Sequence, residues 1–125
     1  MAKKILVIDD DKVFSKTICD AILAKGQGKY EVTAVFDGKD GLLSAQKETP
    51  DLILCDLVMP IMGGIEFLKN LRAEKWGKYL TVIIVTQLSD VDKMGEGLGL
   101  GVRGYIVKSD YSIDEIVRQV EDVLK

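Results

Sequence analysis

Lys4-Ile5-Leu6-Val7-Ile8-Asp9-Asp10-Asp11 sets four consecutive aliphatic residues against three consecutive carboxylates. An unbroken apolar run, rather than an in-out alternation, predicts a strand covered on both faces, as in a parallel sheet. The same signature returns twice. Leu52-Ile53-Leu54-Cys55 ends at Asp56, and Tyr105-Ile106-Val107 ends at Lys108. In open parallel sheets, ligand chemistry gathers beyond the carboxyl ends of the strands. Carboxylates from two strands and an ammonium from a third are therefore expected at one spot.

Strand patterns over Lys4 to Ile8, Tyr30 to Phe36, Leu52 to Cys55, Thr81 to Thr86 and Gly104 to Val107 alternate with helical ones. The helices are predicted over Val13 to Lys25, Gly38 to Lys47, Gly63 to Ala73, Ser89 to Leu98 and Ser112 to Leu124. Ile18 and Ile22, Ile65 and Leu68, and Ile113, Ile116, Val117, Val120 and Leu124 fall at helical spacing. Asp11 is expected to cap the first helix and Ser89 the fourth. Ser112 with Glu115 is expected to form a capping box on the fifth. Alternating units of this kind imply an α/β fold, a doubly wound (βα)5 arrangement with a five-stranded parallel sheet in the order 2-1-3-4-5. Gly99-Leu100-Gly101-Val102-Arg103-Gly104 matches G-x-G-x-x-G, but it leaves a helix and enters a strand, the reverse of a dinucleotide fingerprint.

Composition narrows the chemistry. The 125 residues suit one domain, 1–125, with one well-filled core. There is no His and there are two Cys, Cys19 and Cys55, which excludes a Ser-His-Asp triad, a Cys-His dyad and the usual zinc sites. Both cysteines read as small apolar residues. A net charge of −3 with dispersed Lys and Arg argues against direct nucleic-acid binding. The longest apolar run, near Leu80 to Val85, is too short for a membrane span. The expected location is cytoplasmic, since Met1 to Lys4 leaves no room for a signal peptide.

Three carboxylates in one pocket repel one another, and a hard divalent cation relieves that repulsion. An oxygen-only donor set suits Mg2+, which keeps open positions for waters and phosphate oxygens. A neighbouring carboxylate can then attack phosphorus, with the Thr86 hydroxyl and the Lys108 ammonium as donors to the phosphoryl oxygens.

With Asp9-Asp10, Asp56-Leu57-Val58-Met59-Pro60-Ile61-Met62-Gly63-Gly64, Thr86 and Gly104-Tyr105-Ile106-Val107-Lys108 at these separations, the chain resembles the receiver domains of two-component response regulators, which are flavodoxin-like. The resemblance implies that Asp56 is the phosphoacceptor. It implies that Asp10 and Asp56 bind Mg2+ directly, Asp9 through water, and Val58 through its carbonyl. Thr86 and Lys108 would contact the phosphoryl group, and Thr86 with Tyr105 would form the switch. The implied partners are a sensor histidine kinase or phosphotransfer protein and a downstream effector protein. Phosphorylation-dependent dimerisation is a further expectation, and the domain would assist only its own modification rather than act as an enzyme.

Each residue also has a plainer reading: Asp9 and Asp10 as a solvated strand exit, Thr86 as a strand residue, Lys108 as a surface lysine, Tyr105 as packing. Their joint placement at four strand ends favours the site. A rival from another class is a haloacid-dehalogenase-like phosphatase, whose first motif Ile5 to Phe14 also resembles; Asp9 would then be the nucleophile and Asp11 the general acid. A third is a receiver-like binding module that is never phosphorylated. Two departures from the family pattern stand out. Ser109 follows Lys108 where Pro and a cis bond are common, so a trans bond or a strained loop is expected. Gly63 removes a side-chain cap from the third helix. Gln87 and the apolar Val58 and Leu88 predict a long-lived phosphoryl form. Gly95, Gly97, Gly99 and Gly101 predict a fourth helix that frays or ends irregularly.

Overall fold

Alternate residues of the inner strands face two separate half-cores. A computed structural model, which describes residues 1–125, places strands β1 (Lys3–Ile8), β2 (Tyr30–Val35), β3 (Leu52–Cys55), β4 (Val82–Thr86) and β5 (Gly104–Val107) in one parallel sheet of order β2-β1-β3-β4-β5. Helices α1 (Lys12–Gly26), α2 (Gly38–Glu48), α3 (Gly64–Ala73), α4 (Val91–Gly99) and α5 (Ile113–Leu124) connect and cover it. Ile5, Val7, Leu52, Leu54, Ile83 and Val85 meet Ile18 and Ile22 of α1 and Ile116, Val117 and Val120 of α5. Leu6, Ile8, Ile53, Cys55, Val82 and Ile84 meet Ala45, Phe67, Leu68 and Leu71 on the other side. The two-residue period of a strand makes this division. β3 and β4 are buried throughout, whereas the edge strands β2 and β5 are only partly covered, as their positions require.

Local signals set the helix ends. Asp11 accepts the Phe14 N–H and Asp37 the Asp40 N–H, while Ser112 and Glu115 make the reciprocal capping box. Gly63 caps α3 without a side-chain bond, as anticipated. The fourth helix corrects the sequence reading: it starts at Val91, not Ser89. Asp90 Oδ1 accepts from both Asp92 N–H (2.8 Å) and Lys93 N–H (3.1 Å), and a carboxylate at that position outcompetes the preceding hydroxyl. No peptide bond is cis, so Lys108-Ser109 is trans, and residues Lys108–Asp110 form a single 3-10 turn.

The glycines of α4 divide into two kinds. A Cβ on Gly97 would lie 2.6 Å from Cδ1 of Ile84, so this glycine lets the helix close on the sheet. Gly95 and Gly99 face open space. The helix end is irregular: Leu100 N–H is shared between the carbonyls of Glu96 (3.1 Å) and Gly97 (3.0 Å), and Gly101 has φ +76°. Gly95→Ala is expected to stabilise the protein by up to about 1 kcal/mol. Gly97→Ala should destabilise it through the Ile84 clash. Urea denaturation of the two variants checks the opposite signs.

Candidate functional site

Sheet register brings the charged strand ends together. Ile8 pairs with Cys55, which sets Asp9 beside Asp56, and Thr86 pairs with Val107, which sets Thr86 beside the start of the Lys108 turn. Carboxylate oxygens of Asp9, Asp10 and Asp56 lie within 4.8 Å of one another. Asp10, Asp11, Asp56, Val58, Thr86, Gln87, Leu88 and Lys108 line an open cavity of about 360 Å³ over this cluster. All the side chains expected at the site lie in or beside it. The largest cavity, about 520 Å³, lies elsewhere, around Arg72, Leu100 and Arg103. Its Arg72 guanidinium is already engaged by the carbonyls of Gly77, Leu80 and Leu100.

Asp56 is held from two directions. Its Oδ1 accepts the Leu57 N–H at 2.7 Å, and its Oδ2 lies 3.4 Å from Lys108 Nζ. The ammonium is closer to Asp9, at 2.7 Å from Oδ2. All three side chains are nearly enclosed, with 5% of Lys108, 3% of Asp9 and 8% of Asp56 exposed. Burial pushes the Asp9 carboxyl from 3.8 up to about 6. The Lys108 hydrogen bond and the Asp11 N–H oppose that rise, and the charge on Asp56 adds to it. Burial works against the Lys108 ammonium too, but Asp9 and Asp56 outweigh it and hold its pKa above the ordinary value.

The main chain of Leu88 links the two residues expected to form the switch. Its N–H donates to Thr86 Oγ1 (3.3 Å), and its carbonyl accepts from the Tyr105 hydroxyl. Thr86 is wholly buried, and its hydroxyl accepts from the β4–α4 loop. Val58 is exposed and its carbonyl oxygen accepts no backbone hydrogen bond. Cys55, next to Asp56, is fully buried, and its thiol donates to the Asp56 carbonyl. Cys19 is half-buried; neither cysteine is in a disulfide.

The loop after Asp56 is strained. Met62 N–H donates to the Pro60 carbonyl at 2.7 Å, and Ile61 between them has φ +69°. That is a γ-turn of the costly hand, centred on a β-branched residue that is 77% exposed. Gly64 completes the loop: a Cβ there would lie 2.2 Å from the Asp56 carbonyl oxygen. Ile61→Gly should raise stability by about 1 kcal/mol, because strain relief exceeds the added unfolded-state entropy. A thermal melt with an unchanged or lower midpoint would contradict this.

Phe14 escaped the sequence reading. Its ring lies with its centroid 4.2 Å from Lys108 Nζ. In sequence it is one more apolar residue four before Ile18, with nothing to separate it from the core.

A shared oxygen donor set, partly compensated by one ammonium, fits a hard divalent cation, because three carboxylates exceed the one buried cation by two charges. No helix is long and apolar enough to cross a membrane. The sequence matches the profile of the response regulator receiver domain over residues 5–121. It is 34% identical over 122 residues to the transcriptional regulatory protein CiaR of Streptococcus pneumoniae, covering 98% of this chain and 51% of that protein. This chain thus spans about half the length of the curated relatives it matches. The chemotaxis response regulator CheY4 of Vibrio cholerae superposes with a TM-score of 0.85 at 28% identity, covering 98% of this chain and 99% of that one. The phosphorylated cyanobacterial phytochrome response regulator RcpA gives 0.81 at 28% identity, covering 98% and 91%. With the strand order, the site geometry and the match over residues 5–121 in agreement, this chain belongs to the response regulator receiver domain family.

Proposed function

We propose that this receiver takes a phosphoryl group onto Asp56 in a two-component relay. The observation that carries the reading is the placement of the Asp56 carboxylate within 4.8 Å of two other carboxylates and 3.4 Å from a buried ammonium, at the floor of an open cavity. Asp56 attacks phosphorus, so an O–P bond forms as the P–N bond of a phosphohistidine breaks. The bonding pair stays with the imidazole nitrogen. The donor is a histidine kinase or phosphotransfer protein. Asp10, Asp56 and the Val58 carbonyl would hold Mg2+ directly and Asp9 through water. When bound, the cation supplies charge neutralisation for the equatorial phosphoryl oxygens.

Lys108 and Thr86 supply the remaining donors. Lys108 needs only to exchange Asp9 for a phosphoryl oxygen. Thr86 must release Leu88 N–H to turn its hydroxyl toward the new group. Because the carbonyl of the same residue accepts from Tyr105, a shift of Leu88 on that release would loosen the ring on β5 and alter the surface beside α4. A downstream effector protein would read this surface, directly or through a phosphorylation-dependent dimer.

Asp9, the nucleophile of the phosphatase reading, is a poorer candidate. It does not line the open cavity, as Asp56 does, and the Lys108 ammonium lies closer to it (2.7 Å) than to Asp56 (3.4 Å). Incubation with acetyl phosphate and Mg2+, followed by intact mass, tests the choice. Wild type should gain one phosphoryl group and Asp56→Asn none. An adduct lost in Asp9→Asn but kept in Asp56→Asn would support the phosphatase instead. No adduct in wild type would leave the unphosphorylated binding module.

Gln87 is exposed at the cavity edge beside two apolar residues, Val58 and Leu88, and none of the three is a general base for an attacking water. The aspartyl phosphate should persist for longer than minutes, and Gln87→Ala should shorten its life. Decay within minutes that Gln87→Ala leaves unchanged would contradict this.

A further inference from the structure

The Lys108 ammonium has three N–H donors and two carboxylate partners, Asp9 at 2.7 Å and Asp56 at 3.4 Å. It also lies over the face of Phe14, with 4.2 Å between Nζ and the ring centroid. A cation that close to an aromatic face is attracted by the ring quadrupole, most strongly where water is excluded. Only 5% of the Lys108 side chain is exposed. The ring is itself fixed. Phe14 sits in the first turn of α1, its N–H donates to Asp11 Oδ1 at 3.0 Å, and Asp11 N–H donates to Asp9 Oδ1 at 2.9 Å. Phe14 also packs against the half-core under α1 and α5. Two hydrogen bonds through Asp11 therefore tie the acid that binds Lys108 to the helical turn that carries the ring.

We propose that Phe14 is a positioning residue for phosphoryl transfer, its ring face holding the Lys108 ammonium while leaving its N–H donors free to pass from Asp9 to a phosphoryl oxygen on Asp56. The inference rests on Asp56 being the acceptor. A polar side chain at position 14 would engage the ammonium through a directional hydrogen bond and compete with the incoming phosphate. A saturated side chain would fill the space without attraction, and the ammonium would be placed by the carboxylates alone. The ring does neither. It attracts across a whole face, so the ammonium can shift laterally without leaving it.

Ring-fluorinated phenylalanines test this, because fluorine withdraws the electron density on which the attraction depends while changing side-chain volume little. With one, three and five fluorines at position 14, the initial rate of adduct formation with acetyl phosphate and Mg2+ should fall stepwise, by roughly tenfold at five. Phe14→Leu should resemble the five-fluorine protein and Phe14→Trp should retain the rate. Thermal midpoints check that the series stays folded. The upfield ring-current shift of the Lys108 ε-methylene protons reads the contact without any phosphoryl transfer. A rate indifferent to fluorination, in a protein that forms the adduct, overturns the positioning role and leaves the proposed function intact. Absence of the adduct in wild type overturns both.

Discussion

Lys108→Met is expected to destabilise the metal-free protein by about 3 kcal/mol at neutral pH, the cost typical of leaving a buried charge without its partner. The cluster holds three carboxylates against one ammonium, and two of those carboxylates are almost fully enclosed with it. Losing the cation raises an excess of two negative charges to three. Mg2+ at millimolar concentration should restore much of the loss, since a dication takes over the neutralising role. The pH dependence follows from the direction of the Lys108 shift. Its folded pKa lies above the ordinary 10.5, so its contribution is complete below that value and disappears as pH rises through the folded one. Urea denaturation with and without Mg2+ measures both effects. Equal midpoints for wild type and variant without metal would refute the account of the ion cluster.

Asp9→Asn should act in the opposite sense. Removing a negative charge from the same cluster lowers the excess to one, and the amide keeps an acceptor for Asp11 N–H. Burial lifts the Asp9 pKa from 3.8 to about 6, so the folded protein holds that proton more tightly than the unfolded chain does. Stability of the metal-free wild type therefore falls as pH rises through this window, and above it the full penalty is present. The ionised carboxylate is thus the costlier form in the fold even with the Lys108 pair counted, and the variant is expected to be more stable than wild type by about 1–2 kcal/mol above pH 6. With saturating Mg2+ the order should reverse, because only wild type gains binding energy from the metal. Mg2+ affinity of the wild type should weaken as pH falls below about 6 and Asp9 takes up its proton. A variant less stable than wild type without metal, measured by urea denaturation above that pH, would show that the Lys108 pair outweighs desolvation.

The residues legible in sequence were those whose surroundings the strand pattern fixes. Ile5 to Ile8 and Leu52 to Cys55 are buried on both faces, so an unbroken apolar run specified them, and their first polar successors had to emerge at the same sheet edge. That delivers Asp9, Asp10, Asp56, Thr86 and Lys108 together without any tertiary information. Asp11 and the Ser112-Glu115 box were equally legible, since capping is a contact within four residues. Asp90 caps the fourth helix where Ser89 is expected from the sequence, because two adjacent residues could both cap and propensity alone does not choose between them.

What stayed hidden depends on contacts far apart in the chain or on backbone angles. Phe14 and Lys108 are 94 positions apart, and only the folded sheet, which brings the turn after β5 to the first turn of α1, reveals that one lies over the other. The link from Thr86 through Leu88 to Tyr105 runs through main-chain atoms, which carry no residue signature. The left-handed Ile61 is invisible for a different reason: its residue type argues against the conformation it adopts. Of the glycines in α4, only Gly97 has a close-packing role, and that depends on where Ile84 points.

Reductive trapping tests the central claim most directly. Borohydride reduces an aspartyl phosphate to homoserine, and tandem mass spectrometry of the digested protein locates the converted residue. After treatment with acetyl phosphate and Mg2+, homoserine should appear at position 56 and nowhere else. Homoserine at position 9, or none in a protein that has gained a phosphoryl group, would contradict the assignment of Asp56 as the acceptor.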